Sequence, residues 1–150
     1  MRSLRRLALP LVCLVGTLAG VGCATDRQAG GQTFTMTTSP KLPAADGRAR
    51  VRVDADGNHV IELSFQRLAP PGRAFEGTTM YMVWLVPRSA GPQAIGSLDV
   101  ADDQKAKVTI RTPNENFDVL VTAEVNAFAT TPSRNRAFVV EIRSASPPNA

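Results

Sequence analysis

From residue 48 to residue 143, short runs of alternating apolar and polar residues are separated by glycine, proline, asparagine and aspartate. Runs of this length and period are typical of β-strands, and no segment here has the 3.6-residue period of a helix. The predicted strands are 49–53, 61–65, 80–86, 95–100, 105–111, 117–125 and 137–143. About seven strands at this spacing favour an all-β fold, an Ig-like antiparallel β-sandwich.

The pairing register of the first two strands can be predicted, because the inward-facing residues of both strands are odd-numbered. Opposed residues share a face, so the two numbers of each pair must sum to an even value. A three-residue loop over 55–57 satisfies this, with its glycine in the left-handed position of a bulge. We therefore expect Val51 opposite Ile61, and Arg50 opposite Glu62 on the outer side.

The N-terminal segment has a different character. Three arginines precede an apolar run over residues 7–21, and Gly22 and Cys23 end it. This layout is typical of a bacterial export signal. The run of about 16 residues is shorter than the ~20 that span a hydrocarbon core. A small residue directly before a cysteine resembles the bacterial lipoprotein signal, which implies that Cys23 is acylated, as with palmitate, and becomes the mature N-terminus.

Two interpretations of this segment stay open. Gly20 stands where the lipoprotein signal usually has leucine, and an ordinary secretory signal cut near Gly22 or Ala24 would make Cys23 incidental. The lipoprotein interpretation predicts a signal peptide over 1–22 and a membrane anchor facing the periplasm or the cell exterior. Ala24 follows the cysteine where aspartate would favour the inner membrane, so the resemblance favours the outer membrane.

Residues 23–47 are rich in glycine, threonine, serine, proline and alanine. This composition predicts a lipidated N-terminus and a flexible tether, with a reach of about 25 Å from the membrane. Residues 33–37 alternate and can add one short edge strand. The domain is then expected over 48–143, with a disordered tail over 144–150.

Charge and cysteine content exclude some classes. The chain has 17 basic and 13 acidic residues, and the loss of three signal-peptide arginines leaves 14 against 13. With no basic block, we expect no nucleic-acid partner. Cys13 and Cys23 are the two cysteines, and Cys13 lies within the signal, so no disulfide is expected in the mature domain.

Two clusters of carboxylate and amide side chains raise the question of calcium: Asp54, Asp56 and Asn58, and Asp99, Asp102 and Asp103. A calcium loop needs a bidentate glutamate at its end, and Phe65 occupies that place in the first cluster. A tight turn fits the first cluster better. A hairpin turn before Lys105 is expected at the second, with weak calcium binding as the alternative.

His59 is the single histidine, so a catalytic triad would have to use it and a zinc site would lack ligands. It follows a turn at a strand start, where a partly exposed structural histidine is expected. We therefore predict no catalytic residues, no metal and no cofactor, and a protein that is not an enzyme.

The strand over 80–86 is apolar on both faces, with Met80, Met82 and Trp84 on one face and Tyr81, Val83 and Leu85 on the other. Such a strand must be covered on both sides. We expect these side chains to fill the core, with Trp84 at the centre of the sandwich and Tyr81 beside it. A ligand pocket is the alternative.

Arg48, Arg50 and Arg52 form a basic stripe on an outward face. The stripe is a candidate interaction face for an acidic partner or an anionic lipid headgroup. The alternative is a solvated face paired with Glu62.

From Thr79 onward, the strand MYMVWLVP, the segment GPQAIGSLDVADD, the strand VLVTAEV and a following Thr-Pro resemble the extracytoplasmic C-terminal domain of anti-sigma-K factors. The matching positions are Tyr81, Trp84, Leu85, Gly96, Glu124 and Pro132. The resemblance implies a non-enzymatic, Ig-like sandwich outside the membrane. That family also has a cytoplasmic sigma-binding domain and a spanning helix, which we do not expect here, so anti-sigma activity itself is not expected.

These observations together predict a non-catalytic cell-envelope lipoprotein that acts as a binding or structural module, with an unidentified envelope protein as partner. The alternative is an extracytoplasmic sensing or regulatory domain related to the anti-sigma C-terminal domains, without sigma-binding activity of its own.

Overall fold

The computed structural model describes residues 30–143, and within them the chain forms nine strands and one short helix. The elements are β1 (Gln32–Thr35), β2 (Thr37–Thr38), β3 (Asp46–Val53), β4 (His59–Gln66), α1 (Pro71–Ala74), β5 (Met80–Pro87), β6 (Gln93–Leu98), β7 (Ala106–Thr112), β8 (Phe117–Glu124) and β9 (Arg136–Ile142). All seven strands predicted from the pattern are present.

The strands form two antiparallel sheets, so the predicted β-sandwich is confirmed. The first sheet has the order β1-β3-β4-β7, and the second has the order β2-β9-β8-β5-β6. The two-layer form is that of Ig-like domains, but the connectivity differs. If the short segments β1 and β2 are counted as one strand, β3 and β4 are the second and third strands, and they form a hairpin within one sheet. The second and third strands of an immunoglobulin domain lie in different sheets.

The predicted domain boundary at residue 48 is wrong, because residues 32–47 belong to the sandwich. The edge strand expected over 33–37 is present as two segments, with β1 paired to β3 and β2 paired to β9. Met36 lies where the chain passes from one sheet to the other, and both Met36 and Leu42 are 3% exposed. Burial of these side chains fixes the segment that composition alone assigned to the tether.

The register predicted for the first hairpin is confirmed. Val51 lies opposite Ile61, and Arg50 lies opposite Glu62. Gly57 has a φ of 82°, the left-handed conformation expected at the end of the three-residue loop.

The main core fills the space between the two sheets. Tyr81, Val83 and Leu85 project into it from β5. The rings of Phe65 and Phe138, one from each sheet, lie 4.8 Å apart between centroids. Tyr81 is 1% exposed, and its hydroxyl donates to the Ala69 carbonyl oxygen at 2.8 Å, so its one polar atom is satisfied.

The sandwich has two ends, named here the near end and the far end. At the near end, Gly30, His59 and Arg143 line one cavity of about 180 Å³, and the His59 ring lies 6.1 Å from that of Phe117 in the other sheet. The described chain therefore begins at the near end. The far end holds the loops over 39–45, 67–79, 99–105 and 125–135.

Candidate functional site

The prediction that Trp84 lies at the centre of the sandwich is wrong. Trp84 is fully buried, but it packs with Met82 and Leu120 in a second cluster, on the outer face of the β5 sheet. Even-numbered β5 residues point away from the main core, and Ala129, in the loop between β8 and β9, packs against their cluster. The second apolar face of β5 is thus covered by a loop rather than by a sheet.

A chain of hydrogen bonds, buried at Trp84 and Thr122 and partly buried at Ser133, ties this loop to the sheet. The Trp84 indole N–H donates to Thr122 Oγ1 at 2.8 Å, and the Thr122 hydroxyl donates to Glu124 Oε1. The Ser133 N–H donates to the same carboxylate oxygen at 2.9 Å, and the Ser133 hydroxyl donates to the Ala123 carbonyl at 3.1 Å. Glu124 is 6% exposed, so this network joins the sheet to the loop in a water-poor place.

The same loop carries the most exposed large apolar side chains of the described residues. Phe128 is 88% exposed and Val125 is 63% exposed. The Phe128 N–H donates to Asn126 Oδ1 at 2.9 Å, so the backbone that presents the ring has a local turn. Sequence reasoning missed this surface, although a phenylalanine in the polar stretch NAFATTP was a signal for it.

A cavity with a volume of about 510 Å³ also opens at the far end. It lies between the segment 68–73 and the loop 97–104, above the buried side chains of Tyr81 and Leu98. Burial raises the pKa of Tyr81 to about 12, so the phenol stays protonated as a donor. Two residues beside this cavity, Arg67 and Gln104, adopt positive φ values of 52° and 60°.

The basic stripe on β3 is not a set of free cations. Arg48 pairs with Asp46 at 3.4 Å, and Arg52 pairs with Glu62 at 3.6 Å. Arg50 faces Glu62 in register, yet it is Arg52 that reaches the carboxylate. The structure therefore favours a paired, solvated face over a docking surface for anions.

The Asp54–Asn58 turn is built by hydrogen bonds and ion pairs within the protein. Asp54 Oδ1 accepts the N–H groups of Asp56 at 2.9 Å and Asn58 at 3.0 Å, and Arg111 lies 2.6 Å from the carboxylates of both Asp54 and Asp56. Burial would raise the pKa of Asp54, but these hydrogen bonds and the guanidinium hold it below its ordinary value of 3.8. Both carboxylates thus have protein partners that do not involve a metal ion.

The second acidic cluster, expected as a hairpin turn before Lys105, does form a turn, in which the Gln104 N–H donates to the Ala101 carbonyl at 2.8 Å. Asp103 pairs with Lys105 at 2.6 Å, and hydrogen bonding to the Lys105 ammonium lowers the Asp103 pKa. The predicted hairpin is wrong, because this turn joins β6 in one sheet to β7 in the other.

His59 stands at the start of β4 and is partly buried. Its Nδ1 atom is buried without a hydrogen-bond partner among the described residues, and its ring packs against Phe117. A base oriented by a carboxylate would need a partner at that atom, and the structure gives none within residues 30–143.

The remaining predicted features fall outside this geometry. The predicted lipidation residue Cys23, the signal peptide over 1–22 and the tail over 144–150 lie outside the described residues. No helix within residues 30–143 is long and apolar enough to cross a membrane. The described part of the chain holds no group of three or more His, Cys, Asp or Glu side chains suited to a metal. The chain matches no protein-family model and no curated protein.

Proposed function

We propose that this protein is a non-catalytic, lipid-anchored module of the cell envelope that binds a protein partner with its far end. The observation that carries the proposal is Phe128, which is 88% exposed on a loop that the Ser133 N–H ties to the buried Glu124 carboxylate. Aromatic side chains are enriched in protein interfaces, where their burial supplies much of the binding energy.

The fixed loop supports binding because a rigid contact surface loses little conformational entropy on association. Ser133 and Glu124 hold the base of the loop, and Val125 adds a second exposed apolar side chain beside it. Arg134 and Arg136 are exposed near the same loop, which gives an apolar centre with a charged surround.

The anchor side of the proposal depends on Cys23 and on where the chain enters the sandwich. Six residues separate Cys23 from Gly30, which lies at the near end. A chain of this length spans at most about 25 Å. Acylation of Cys23 would therefore hold the near end towards the membrane and leave the far end facing away, where a protein rather than the anchoring bilayer is within reach.

A second candidate function is the extracytoplasmic sensing domain that the resemblance to anti-sigma-K C-terminal domains implies. It is favoured by one observation: Trp84 and Glu124, which carry the resemblance, are joined by hydrogen bonds to Ser133, next to Pro132. On this alternative the partner is a membrane signalling protein.

Photo-crosslinking in cells tests the proposal. A photoreactive amino acid at position 128 is expected to give a discrete protein adduct, whereas one at Val53 is not. Val53 is a matched control because it is also apolar and 56% exposed, but lies at the near end. The adduct is expected to disappear in the Cys23→Ser variant, and its mass-spectrometric identity separates an envelope structural protein from a signalling protein.

Equal crosslinking from positions 53 and 128, or adducts from position 128 to lipid alone, would contradict the proposal. Phe128→Ala is expected to abolish capture through the loop while changing the free energy of unfolding by less than about 0.5 kcal/mol, because an exposed side chain contributes little to stability.

A further inference from the structure

The cavity at the far end, named here the far-end cleft, has the dimensions of a small-molecule site. Its volume of about 510 Å³ lies within the range of roughly 300–1,000 Å³ that is usual for such sites. Leu68, Tyr81 and Leu98 form an apolar floor, and each is 5% exposed or less. The cleft is distinct from the Phe128 loop, which lines a separate cavity.

The walls of the cleft are fixed to one another before any ligand binds. The Leu68 N–H donates to the Gln104 carbonyl oxygen at 3.0 Å, which joins the two lining segments. The Tyr81 hydroxyl donates to the Ala69 carbonyl oxygen at 2.8 Å, which ties the first segment to β5. A cleft held open in this way loses little free energy to reorganisation on binding.

Charges without partners line the cleft, and the two segments carry opposite signs. Arg73 comes from the first segment, while Asp99 and Asp102 come from the second. Within residues 30–143 none of the three makes an ion pair, whereas the neighbouring Asp103 is paired with Lys105 at 2.6 Å. The cleft therefore offers a cation, anions and an apolar floor together.

We propose that the far-end cleft binds a small zwitterion with an apolar body, of the kind that a short apolar peptide provides. The ligand carboxylate pairs with the Arg73 guanidinium, and the ligand ammonium pairs with Asp99 and Asp102. Its apolar side chains lie against the floor of Leu68, Tyr81 and Leu98.

Isothermal titration calorimetry with the dipeptide Leu-Leu and the full chain in detergent tests this proposal. Leu-Leu is expected to bind, and N-acetyl-Leu-Leu and Leu-Leu amide are each expected to bind about tenfold more weakly because each lacks one charge. Tenfold corresponds to about 1.4 kcal/mol. Absence of binding by Leu-Leu, or equal affinity for the three peptides, overturns the proposal.

Variants locate the contacts. Arg73→Gln is expected to weaken Leu-Leu binding about tenfold without changing the affinity for Leu-Leu amide, which has no carboxylate. The double variant Asp99→Asn with Asp102→Asn is expected to weaken Leu-Leu binding without changing the affinity for N-acetyl-Leu-Leu, which has no ammonium group. Asp103→Asn is the matched control in the same loop, and an equal effect of this control on Leu-Leu contradicts the assignment.

Discussion

Single residues decide the geometry of two turns that share one backbone design. The loops over 55–57 and 102–104 each have the N–H of the preceding residue donating to the carbonyl of the following residue at 2.9 Å. The left-handed position holds Gly57 in the first and Gln104 in the second, with φ values of 82° and 60°. A side chain in this conformation costs about 1–2 kcal/mol, which glycine avoids.

Exchanging these residue types is therefore expected to have opposite effects on stability. Gln104→Gly should raise the free energy of unfolding by about 0.5–1 kcal/mol, since the relief of strain exceeds the added entropy of the unfolded chain. Gly57→Ala should lower it by about 1 kcal/mol, although a Cβ there meets no atom within 4 Å. Urea denaturation measures both, and shifts of the same sign would contradict this account.

Asp54 is expected to make the folding stability of the protein depend on pH. Burial raises the pKa of Asp54, but hydrogen bonds from the Asn58 and Asp56 N–H groups and the Arg111 guanidinium lower it by more. The pKa in the folded protein therefore lies below the ordinary value of 3.8. The stabilisation that ionised Asp54 gives the folded state is thus fully present above pH 3.8, and it is lost as the pH falls through the lower pKa of the folded protein. Asp54→Asn is expected to flatten the acid limb of a plot of Tm against pH, because this carboxylate can then no longer be protonated. A steeper limb in Asp54→Asn would contradict this.

At the scale of elements, β5 is the strand on which both apolar clusters depend. Its odd-numbered side chains pack between the sheets, and its even-numbered side chains pack under the loop between β8 and β9. Thr122 is the link between strand and loop, because its hydroxyl accepts from Trp84 and donates to Glu124.

Removal of that hydroxyl is expected to destabilise the protein. Thr122→Val leaves the Trp84 N–H and the Glu124 carboxylate each short of one buried partner, and should lower the free energy of unfolding by about 2–3 kcal/mol. Thr122→Ser keeps the hydroxyl and loses one methyl group, at a cost of about 1 kcal/mol. Chemical denaturation of the two variants checks this, and a smaller loss for valine than for serine would refute it.

The sequence predicts elements whose pattern is local and misses those defined by distant contacts. The β3–β4 hairpin follows from alternation and a glycine-containing turn within twenty residues, and its register is confirmed. The apolar pattern of β5 shows that both faces need a cover but not which segment covers them, because the loop over 125–135 has no periodic pattern. The cleft is likewise formed by segments about thirty residues apart, 68–73 and 97–104, so no local motif marks it.

At the scale of the whole molecule, the early start of the sandwich changes the expected arrangement at a membrane. Composition assigned residues 23–47 to a tether, but β1 begins at Gln32 and the described chain starts at the near end. Only residues 24–29 then separate an acylated Cys23 from Gly30. Near-end and far-end surfaces are about 26 Å apart along eight-residue strands, so the proposed anchoring at Cys23 would place them at different distances from the membrane.

Intact mass spectrometry of the protein purified from its native membrane tests the anchored orientation most directly, because that orientation requires a covalent lipid at one known atom. We expect a mature chain that begins at Cys23 and carries the added mass of acyl chains on that residue. A chain that still begins at Met1, or a product cut after Cys23 and free of lipid, would contradict the account.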